Sequence, residues 1–210
     1  MNVERLKNTA VDVWVFDSDG TLYTTTENLQ AAVVELMVDF VCREYSLTRA
    51  TAASLRLQLL EKHRTRLTLV ALQHEGVDVE RFIRETYLAV PLEKFGLAKC
   101  RRAFDLIVEV AGEKLVMTNS PAAFARRILT ELNCFNFFSG IYGIQEMNFV
   151  EKPSRAAFSV LHPHLSCGKR VVFVDDKAEN IEVAEKLGCI GVLWEQITPD
   201  GLEGGRRESC

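Results

Sequence analysis

Residues 11–23 read VDVWVFDSDGTLY, and this stretch decides the fold. Residues 11–17 are mostly apolar at both alternating positions, which is typical of a central parallel strand covered by helices on both faces. A polar run, DSDGT, occupies residues 17–21 without any spacer. Carboxylates therefore stand at the carboxyl end of the predicted strand, where open α/β sheets bind their ligands.

Four more short apolar runs predict further strands of the same sheet. They are KLVMTN (114–119), GIYGI (140–144), RVVFVDD (170–176) and CIGVLW (189–194). Helical segments separate them. Ser120 is predicted to cap a helix that starts at Pro121, Pro153 to open the next one, and Gly188 to end the helix KAENIEVAEKL. Alternating strands and helices predict an α/β fold with a doubly wound, Rossmann-like parallel sheet.

One long interval interrupts this alternation. About 100 residues separate Asp17 from Thr118, whereas a plain βαβ unit brings the next strand after ~30 residues. The interval has helical patterns, with predicted helix caps at Asn28, Thr48 and Asp78. We therefore expect a discontinuous α/β core domain over residues 1–23 and 96–210, and a small all-helical cap domain over residues 24–95.

Composition excludes several classes of partner. Lys and Arg number 25 against 29 Asp and Glu, giving a net charge of −4. No basic footprint appears, so neither nucleic acid nor an anionic membrane is an expected partner. The most apolar helical segment, AAVVELMVDFVC, carries Glu35 and Asp39, which argues against a membrane span. Oligomeric state has no signal in the sequence.

Cysteine usage points to a reducing compartment. The 6 cysteines lie far apart, with no CxxC pair, so a zinc or redox motif is not expected. The first ten residues, MNVERLKNTA, lack the apolar stretch of a signal peptide. Both observations predict a cytoplasmic protein with most of its thiols buried.

Polar residues recur at the predicted carboxyl ends of several strands, and these ends meet at one edge of a parallel sheet. Four acids would converge there, and their repulsion calls for a cation. An all-oxygen ligand set suits Mg²⁺. The acids and their polar neighbours are Asp17, Asp19, Asp175, Asp176, Lys152, Thr118 and Asn119.

Such a site suits a phosphoryl group, whose charge the metal and the lysine would neutralise. Each piece alone also has a simpler interpretation. A DSDG run is often only a turn, Lys152 could be a solvated loop residue, and Asp175 and Asp176 could cap a helix. Their joint order along the chain favours the functional interpretation.

Four motifs in this order resemble those of the haloacid dehalogenase-like hydrolase superfamily, over residues 10–23 and 96–195. The motifs are FDSDGTLY, VMTNS, Lys152-Pro153 and FVDDKAEN. The helical insertion resembles the C1-type cap of that superfamily, and the chain looks most similar to the pyrimidine 5′-nucleotidase-like group. The stretch TLVALQHEGVD also resembles that group, which however tends to carry Tyr-Gly where this chain has Thr65-Arg66.

The resemblance implies a two-step mechanism. Asp17 would attack phosphorus, and Asp19 would act as general acid and then as general base. Mg²⁺ would bind Asp17, the backbone carbonyl of Asp19 and the acids Asp175 and Asp176, with Asp176 favoured as the direct ligand. Lys152 would neutralise charge and bind phosphate. Thr118, Asn119 and Gly20 would also bind phosphate, and Asn180 would orient the acidic loop.

The expected function is that of a Mg²⁺-dependent phosphatase acting on a small phosphorylated metabolite, with a pyrimidine nucleoside 5′-monophosphate as the first choice. The alternatives are a sugar-phosphate or phosphoglycolate phosphatase, a phosphomutase, and a non-catalytic protein that binds a phosphorylated ligand. Asp19 argues against a dehalogenase, which needs no acid two residues after its nucleophile. Candidate specificity residues in the cap are His63, Arg64, Arg66, Gln73 and His74, although a solvated helix face also explains them. His162 and His164 could bind a metal, but an exposed turn fits them better.

Overall fold

The computed structural model describes residues 10–24 and 27–194. Among these residues, five parallel strands form a single sheet with the order β3-β2-β1-β4-β5. The strands are β1 (Val13–Phe16), β2 (Glu113–Met117), β3 (Gly140–Tyr142), β4 (Val171–Asp175) and β5 (Ile190–Leu193). All five runs predicted as strands are confirmed, and so is the doubly wound α/β architecture.

The central strand is buried on both of its faces. Every residue of β1 is buried, and β1 pairs in parallel with β2 on one side and with β4 on the other. Trp14 and Phe16 stack with ring centroids 6.1 Å apart, and the Trp14 indole donates to the carbonyl of Ala111 at 3.0 Å. Burial of apolar side chains on both faces fixes β1 in the middle of the sheet.

Eight α-helices lie among the described residues. They are α1 (Glu27–Glu44), α2 (Arg49–His63), α3 (Thr68–His74), α4 (Val79–Glu85), α5 (Arg101–Glu109), α6 (Ala122–Glu131), α7 (His162–Ser166) and α8 (Ala178–Lys186). Short 3₁₀ helices cover Tyr87–Ala89, Leu92–Lys94, Phe135–Phe137 and Ala157–Leu161. None of the described helices combines the length and the hydropathy that crossing a membrane requires.

The chain divides into two compact units. One comprises Met1–Thr25 and Leu97–Cys210, and the other comprises Thr26–Gly96. The first contains the sheet and helices α5 to α8, whereas the described part of the second is helical throughout. The predicted domain boundaries, at residues 23/24 and 95/96, lie next to those of these units. The helical unit has its own core, in which Phe40 and Phe82 meet edge to face at 5.0 Å.

Helix starts match the predicted caps in two cases out of three within the helical unit. The Thr48 side chain accepts from the Thr51 N–H, and the Asp78 side chain accepts from the Arg81 N–H. Each satisfies a backbone donor that the first turn leaves without a partner. Asn28 is different, because α1 already includes it as its second residue.

Two predicted helix starts in the sheet-bearing unit are also wrong. Helix α6 begins after Pro121, and Ser120 makes no capping hydrogen bond to it. The residues after Pro153 form turns, and the helical conformation starts only at Ala157. For Ser120 the reason is a tertiary contact, because its hydroxyl donates to the Asp19 carboxylate in the loop after β1. The prediction made for residues 1–9 lies outside the described residues, and so does one of the six cysteines, Cys210.

Candidate active site

The predicted site residues come together at one edge of the sheet. Asp17 follows β1, Thr118 follows β2, and Asp175 ends β4. These three strands are neighbours in the order β2-β1-β4 and run parallel, so their carboxyl ends lie side by side. The convergence is thus a consequence of topology, because parallel strands bring the loops at their carboxyl ends to the same edge.

Lys152 lies at the centre of this edge and is 1% exposed. Its ammonium group donates to Asp17 Oδ1 at 2.7 Å, to the Met117 carbonyl at 2.8 Å and to Asp175 Oδ2 at 2.9 Å. An ammonium group has three protons, so these contacts account for all of them. Lys152 therefore ties the ends of β1, β2 and β4 together and holds Asp17 in a fixed orientation.

The electrostatics of the cluster favour a protonated lysine and a weakly acidic Asp17. Burial raises the pKa of Asp17 to about 7; Lys152 opposes this shift, and the charges of Asp175 and Asp19 add to it. Burial alone would lower the pKa of Lys152, but the two carboxylates that it touches raise it instead. The buried site thus holds more negative charge than one lysine can balance.

This excess of charge makes stability depend on pH. An acid whose folded pKa lies above its ordinary value destabilises the fold once the pH rises through that interval, here from 3.8 to about 7. In EDTA at pH 8, we expect Asp17→Asn to unfold several degrees above wild type, since it removes a buried charge. The difference should shrink as the pH falls through this interval, and the two should unfold nearly together only at about pH 3.8 and below. Thermal denaturation by circular dichroism measures both, and a variant less stable than wild type at pH 8 would contradict the expectation.

A cation would remove the same excess of charge, and the residues fit one. Carboxylate oxygens of Asp17, Asp175 and Asp176 lie within 4.8 Å of one another, and no other such group of three His, Cys, Asp or Glu side chains occurs in residues 10–24 and 27–194. Asp176 Oδ1 is buried without a hydrogen-bond partner, which normally costs free energy. Burial and the Asp175 charge raise the pKa of Asp176. A hard cation would supply the missing partner.

Asp175 and Asp176 differ in how the protein holds them. Asp175 is fully buried and accepts from Lys152, from the Lys177 N–H at 2.9 Å, and from the Asn180 amide at 2.9 and 2.8 Å. Its oxygens are thus occupied by protein donors, whereas Asp176 keeps an oxygen available. This difference favours Asp176 as the direct metal ligand, and it gives Asn180 the orienting role that was expected of it.

Asp19 is held by hydroxyl groups. Thr118 Oγ1 donates to Asp19 Oδ2 at 3.1 Å, Ser120 Oγ donates to the same oxygen at 3.2 Å, and the Tyr23 hydroxyl donates to Oδ1. Asp19 itself is half-buried, in contrast to the buried Asp17. The site therefore pairs a buried carboxylate with a more accessible one only two residues away.

Two predicted phosphate-binding residues, Asn119 and Gly20, also make hydrogen bonds within the chain. The Asn119 side chain accepts from the Lys152 N–H at 2.8 Å and donates to the Lys152 carbonyl at 3.1 Å, so it braces the backbone of the lysine. The Gly20 N–H donates to the Tyr23 carbonyl at 3.0 Å, so it closes the loop after β1. Sequence reasoning could not distinguish these roles, because all of them use the same polar groups at a strand end.

Gly20 is nevertheless required where it stands. Its φ of +89° suits glycine alone among common residues, and a Cβ at this position would lie 2.6 Å from Asp176 Oδ2. The glycine thus lets the β1 loop approach the acidic loop after β4. Gly20 therefore helps to set the distance between the carboxylates of the β1 loop and Asp176.

Two candidate specificity residues of the helical unit, His63 and His74, belong to a small cluster of side chains. His63 and His74 stack with ring centroids 5.0 Å apart, and His63 Nε2 lies 2.5 Å from Glu75 Oε1. Lys62 donates to the same carboxylate oxygen at 2.6 Å. Arg64 adopts a left-handed conformation as the C-cap of α2. Stacking and ion pairing within the unit thus account for the two histidines.

His162 and His164 lie outside the acidic group that has the geometry of a metal site among the described residues. His162 begins α7 and is exposed, and His164 Nδ1 lies 3.9 Å from Glu113 Oε2. The pair thus lies on a short helix, and the exposed turn predicted for it is wrong.

Two residues with a place in the site were not identified as site residues from the sequence. Ser120 was expected only as a helix cap, and no role in the site was expected of Tyr23. Ser120 lies two residues after Thr118 at the end of β2, which is a signal that could have identified it. Nothing in the sequence shows that the Tyr23 hydroxyl returns to Asp19.

Comparison with solved structures finds this fold in hydrolases of different chemistry. A HAD phosphatase from Thermococcus onnurineus is 18% identical, with a TM-score of 0.58 over 92% of this chain and 89% of that chain. A 2-haloacid dehalogenase from Pseudomonas syringae is 18% identical, with a TM-score of 0.53 over 88% and 86%. A HAD hydrolase from Bacillus subtilis, bound to magnesium, is 16% identical, with a TM-score of 0.50 over 87% and 88%. At identities this low, structural similarity shows a common fold and leaves the reaction open.

No curated protein matches the chain. A family model for haloacid dehalogenase-like hydrolases matches residues 11–188. This match spans the β1 loop, the helical unit and the three site residues Thr118, Lys152 and Asp175. The chain belongs to the haloacid dehalogenase-like hydrolase family.

Proposed function

We propose that the protein is a Mg²⁺-dependent phosphatase that hydrolyses a small phosphomonoester through a phosphoaspartate on Asp17. The observation that carries this proposal is the pair of carboxylates in the β1 loop. Asp17 is buried against Lys152, and the half-buried Asp19 stands two residues away, held by hydroxyls. A dehalogenase has no leaving alcohol to protonate, so it has no use for the second acid.

In the first step, Asp17 attacks phosphorus. Lys152 holds Oδ1 at 2.7 Å, whereas Oδ2 has only a long contact of 3.4 Å to the Thr21 hydroxyl among its described side-chain hydrogen bonds, so Oδ2 keeps electron pairs for the attack. The new bond joins this oxygen to phosphorus, and the ester P–O bond breaks. Asp19 gives its proton to the departing alcohol, which makes that alcohol a better leaving group.

In the second step, water attacks the phosphoaspartate. Asp19, now a carboxylate, takes a proton from this water, so that one residue serves as acid and then as base. The acyl phosphate P–O bond breaks, inorganic phosphate leaves, and Asp17 is restored. Burial of Asp17 in the sheet edge limits its exposure to water outside this step.

The acids fit Mg²⁺, and the magnesium-bound relative from Bacillus subtilis supports the same choice. Asp17, Asp176 and the backbone carbonyl of Asp19 would hold the ion, with Asp175 orienting the loop. When bound, the ion neutralises the carboxylates and the charge on the phosphoryl oxygens. Without it, the negative charge of the site would repel an anionic substrate.

The substrate class that we propose is a small phosphorylated metabolite, first a pyrimidine nucleoside 5′-monophosphate. It rests on the resemblance of the four motifs and of the helical insertion to the C1-capped pyrimidine 5′-nucleotidase-like group. The five described cysteines are free thiols, which supports the proposed cytoplasmic location because such a compartment keeps thiols reduced.

Phosphate release from a panel of substrates tests the proposal. The panel contains nucleoside monophosphates, sugar phosphates and phosphoglycolate, each with Mg²⁺ and with EDTA, and 2-chloropropionate assayed for chloride. We expect phosphate release that needs Mg²⁺ and no chloride release. Chloride release without phosphate release would overturn the proposal in favour of a dehalogenase. A phosphorylated protein that transfers its group to a sugar phosphate would indicate a mutase, and binding without any turnover would indicate a phosphate-ligand receptor.

Gly20→Ala should weaken the binding of Mg²⁺ by about tenfold or more, because the new Cβ would displace the Asp176 carboxylate from 2.6 Å away. Gly188→Ala is the matched control. Gly188 has a similar φ, +96°, but open space around its Cβ position, so both variants carry the same backbone strain. Calorimetric titration with Mg²⁺ measures the difference. Equal affinities in the two variants would disprove the role assigned to Asp176.

A further inference from the structure

We propose that Tyr23 is a positioning residue for Asp19, and that its hydroxyl fixes the carboxylate that transfers the proton in the reaction proposed above. The inference rests on that proposed function. Tyr23 belongs to the first motif, but it is none of the acids, the amine or the phosphate-binding groups that the motifs supply.

Both oxygens of Asp19 are engaged, and from different parts of the chain. Tyr23 donates to Oδ1 from the end of the β1 loop, whereas Thr118 and Ser120 donate to Oδ2 from the loop after β2 at 3.1 and 3.2 Å. The terminal torsion of an aspartate is broad when nothing restrains it. Donors on both oxygens confine that torsion, and Tyr23 is the described donor to Oδ1.

Burial and backbone hydrogen bonds hold Tyr23 in place, so its contact with Asp19 is a stable feature of the site. It is 1% exposed, and its backbone forms isolated bridges with Asp19 and with Lys99. Its carbonyl accepts from the Gly20 N–H at 3.0 Å. A buried tyrosine hydroxyl needs a polar partner, so the same contact that satisfies Tyr23 also orients Asp19.

Positioning matters here because proton transfer depends steeply on the distance and direction between the acid and the leaving oxygen. The dependence is greatest for an alkyl phosphate, since an alkoxide leaves poorly unless it is protonated. It is small for an aryl phosphate whose phenolate leaves readily without a proton. Loss of the Tyr23 hydroxyl should therefore impair the two substrates unequally, which a general loss of stability would not do.

The test compares kcat/KM of Tyr23→Phe and wild type on the best alkyl phosphate of the panel and on p-nitrophenyl phosphate. This parameter covers the steps up to departure of the leaving group, so the later hydrolysis of the phosphoaspartate does not obscure it. We expect a loss of roughly tenfold or more on the alkyl substrate and less than about threefold on the aryl one. Tyr142→Phe, which removes a half-buried tyrosine hydroxyl in β3, is the matched control and should leave both values unchanged.

Equal losses on the two substrates, or none, would overturn the positioning role while leaving the phosphatase intact. A wild-type protein that hydrolyses neither substrate overturns the proposed function, and the role of Tyr23 falls with it. Ser120→Ala, which removes a donor from the other oxygen of the same carboxylate, should show the same unequal loss. If Tyr23→Phe does not fold, this second variant decides, and equal losses in it overturn the proposal.

Discussion

Asp17→Asn should reduce Mg²⁺-dependent phosphate release by roughly four orders of magnitude or more, the scale at which removal of a catalytic nucleophile acts. The amide cannot form the acyl phosphate, and it cannot supply the negative oxygen that a hard cation prefers. The variant should still fold, because it removes a charge that burial already disfavours. Phosphate release on the best substrate of the panel measures the loss.

Asp105→Asn is the matched control for this experiment. Asp105 lies on α5, 57% exposed, and is 3.9 Å from Arg101 in a surface ion pair, which contributes little to stability. The same change of residue type there should leave both activity and folding unaltered. Substantial activity in Asp17→Asn, together with a native circular dichroism spectrum, would show that Asp17 is not the nucleophile.

Lys152→Met should destabilise the fold by about 3–5 kcal/mol, since it leaves buried carboxylates without their counter-ion. Asp17 and Asp175 lie 2.7 and 2.9 Å from the ammonium group, and both are buried, so solvent replaces the lost cation poorly. On a domain of this size, such a loss lowers the unfolding temperature by about 2–4 °C for each kcal/mol. Activity should fall as well, because Asp17 loses the contact that orients it. Thermal denaturation in EDTA at pH 8 measures the stability effect.

Charge and packing can be separated within the same set of variants. The double variant Lys152→Met, Asp17→Asn should recover part of the lost stability, because it leaves only Asp175 unbalanced. Lys186→Met, which changes a lysine on α8 that is 74% exposed, should be neutral. If the double variant is no more stable than Lys152→Met alone, the loss comes from packing of the lysine stem, and the electrostatic account of this cluster is wrong.

The sequence by itself determined the sheet and the identity of the site's central residues. Apolar runs such as Val13–Phe16 and Val171–Asp175 are buried on both faces, so hydropathy alone identified them as inner strands. Because parallel strands end at a common edge, the polar residues after β1, β2 and β4 could be assigned to one site without coordinates. Helix caps were also predictable from the sequence at Thr48 and Asp78, where the side chain accepts from the backbone N–H three residues ahead.

Tertiary structure decided how the polar groups are shared. Ser120, Asn119 and Gly20 each have a plausible local role, as a helix cap, a phosphate ligand and an anion-binding turn. The structure shows that they have partners far along the chain: Ser120 bonds Asp19, Asn119 bonds Lys152, and the Cβ position of Gly20 faces Asp176. Hydropathy and capping depend on neighbours in sequence, whereas the partner of a hydroxyl or amide depends on which loops the sheet brings within about 3 Å. That is why the strands and the acids could be predicted, and why the role of Tyr23 required the folded chain.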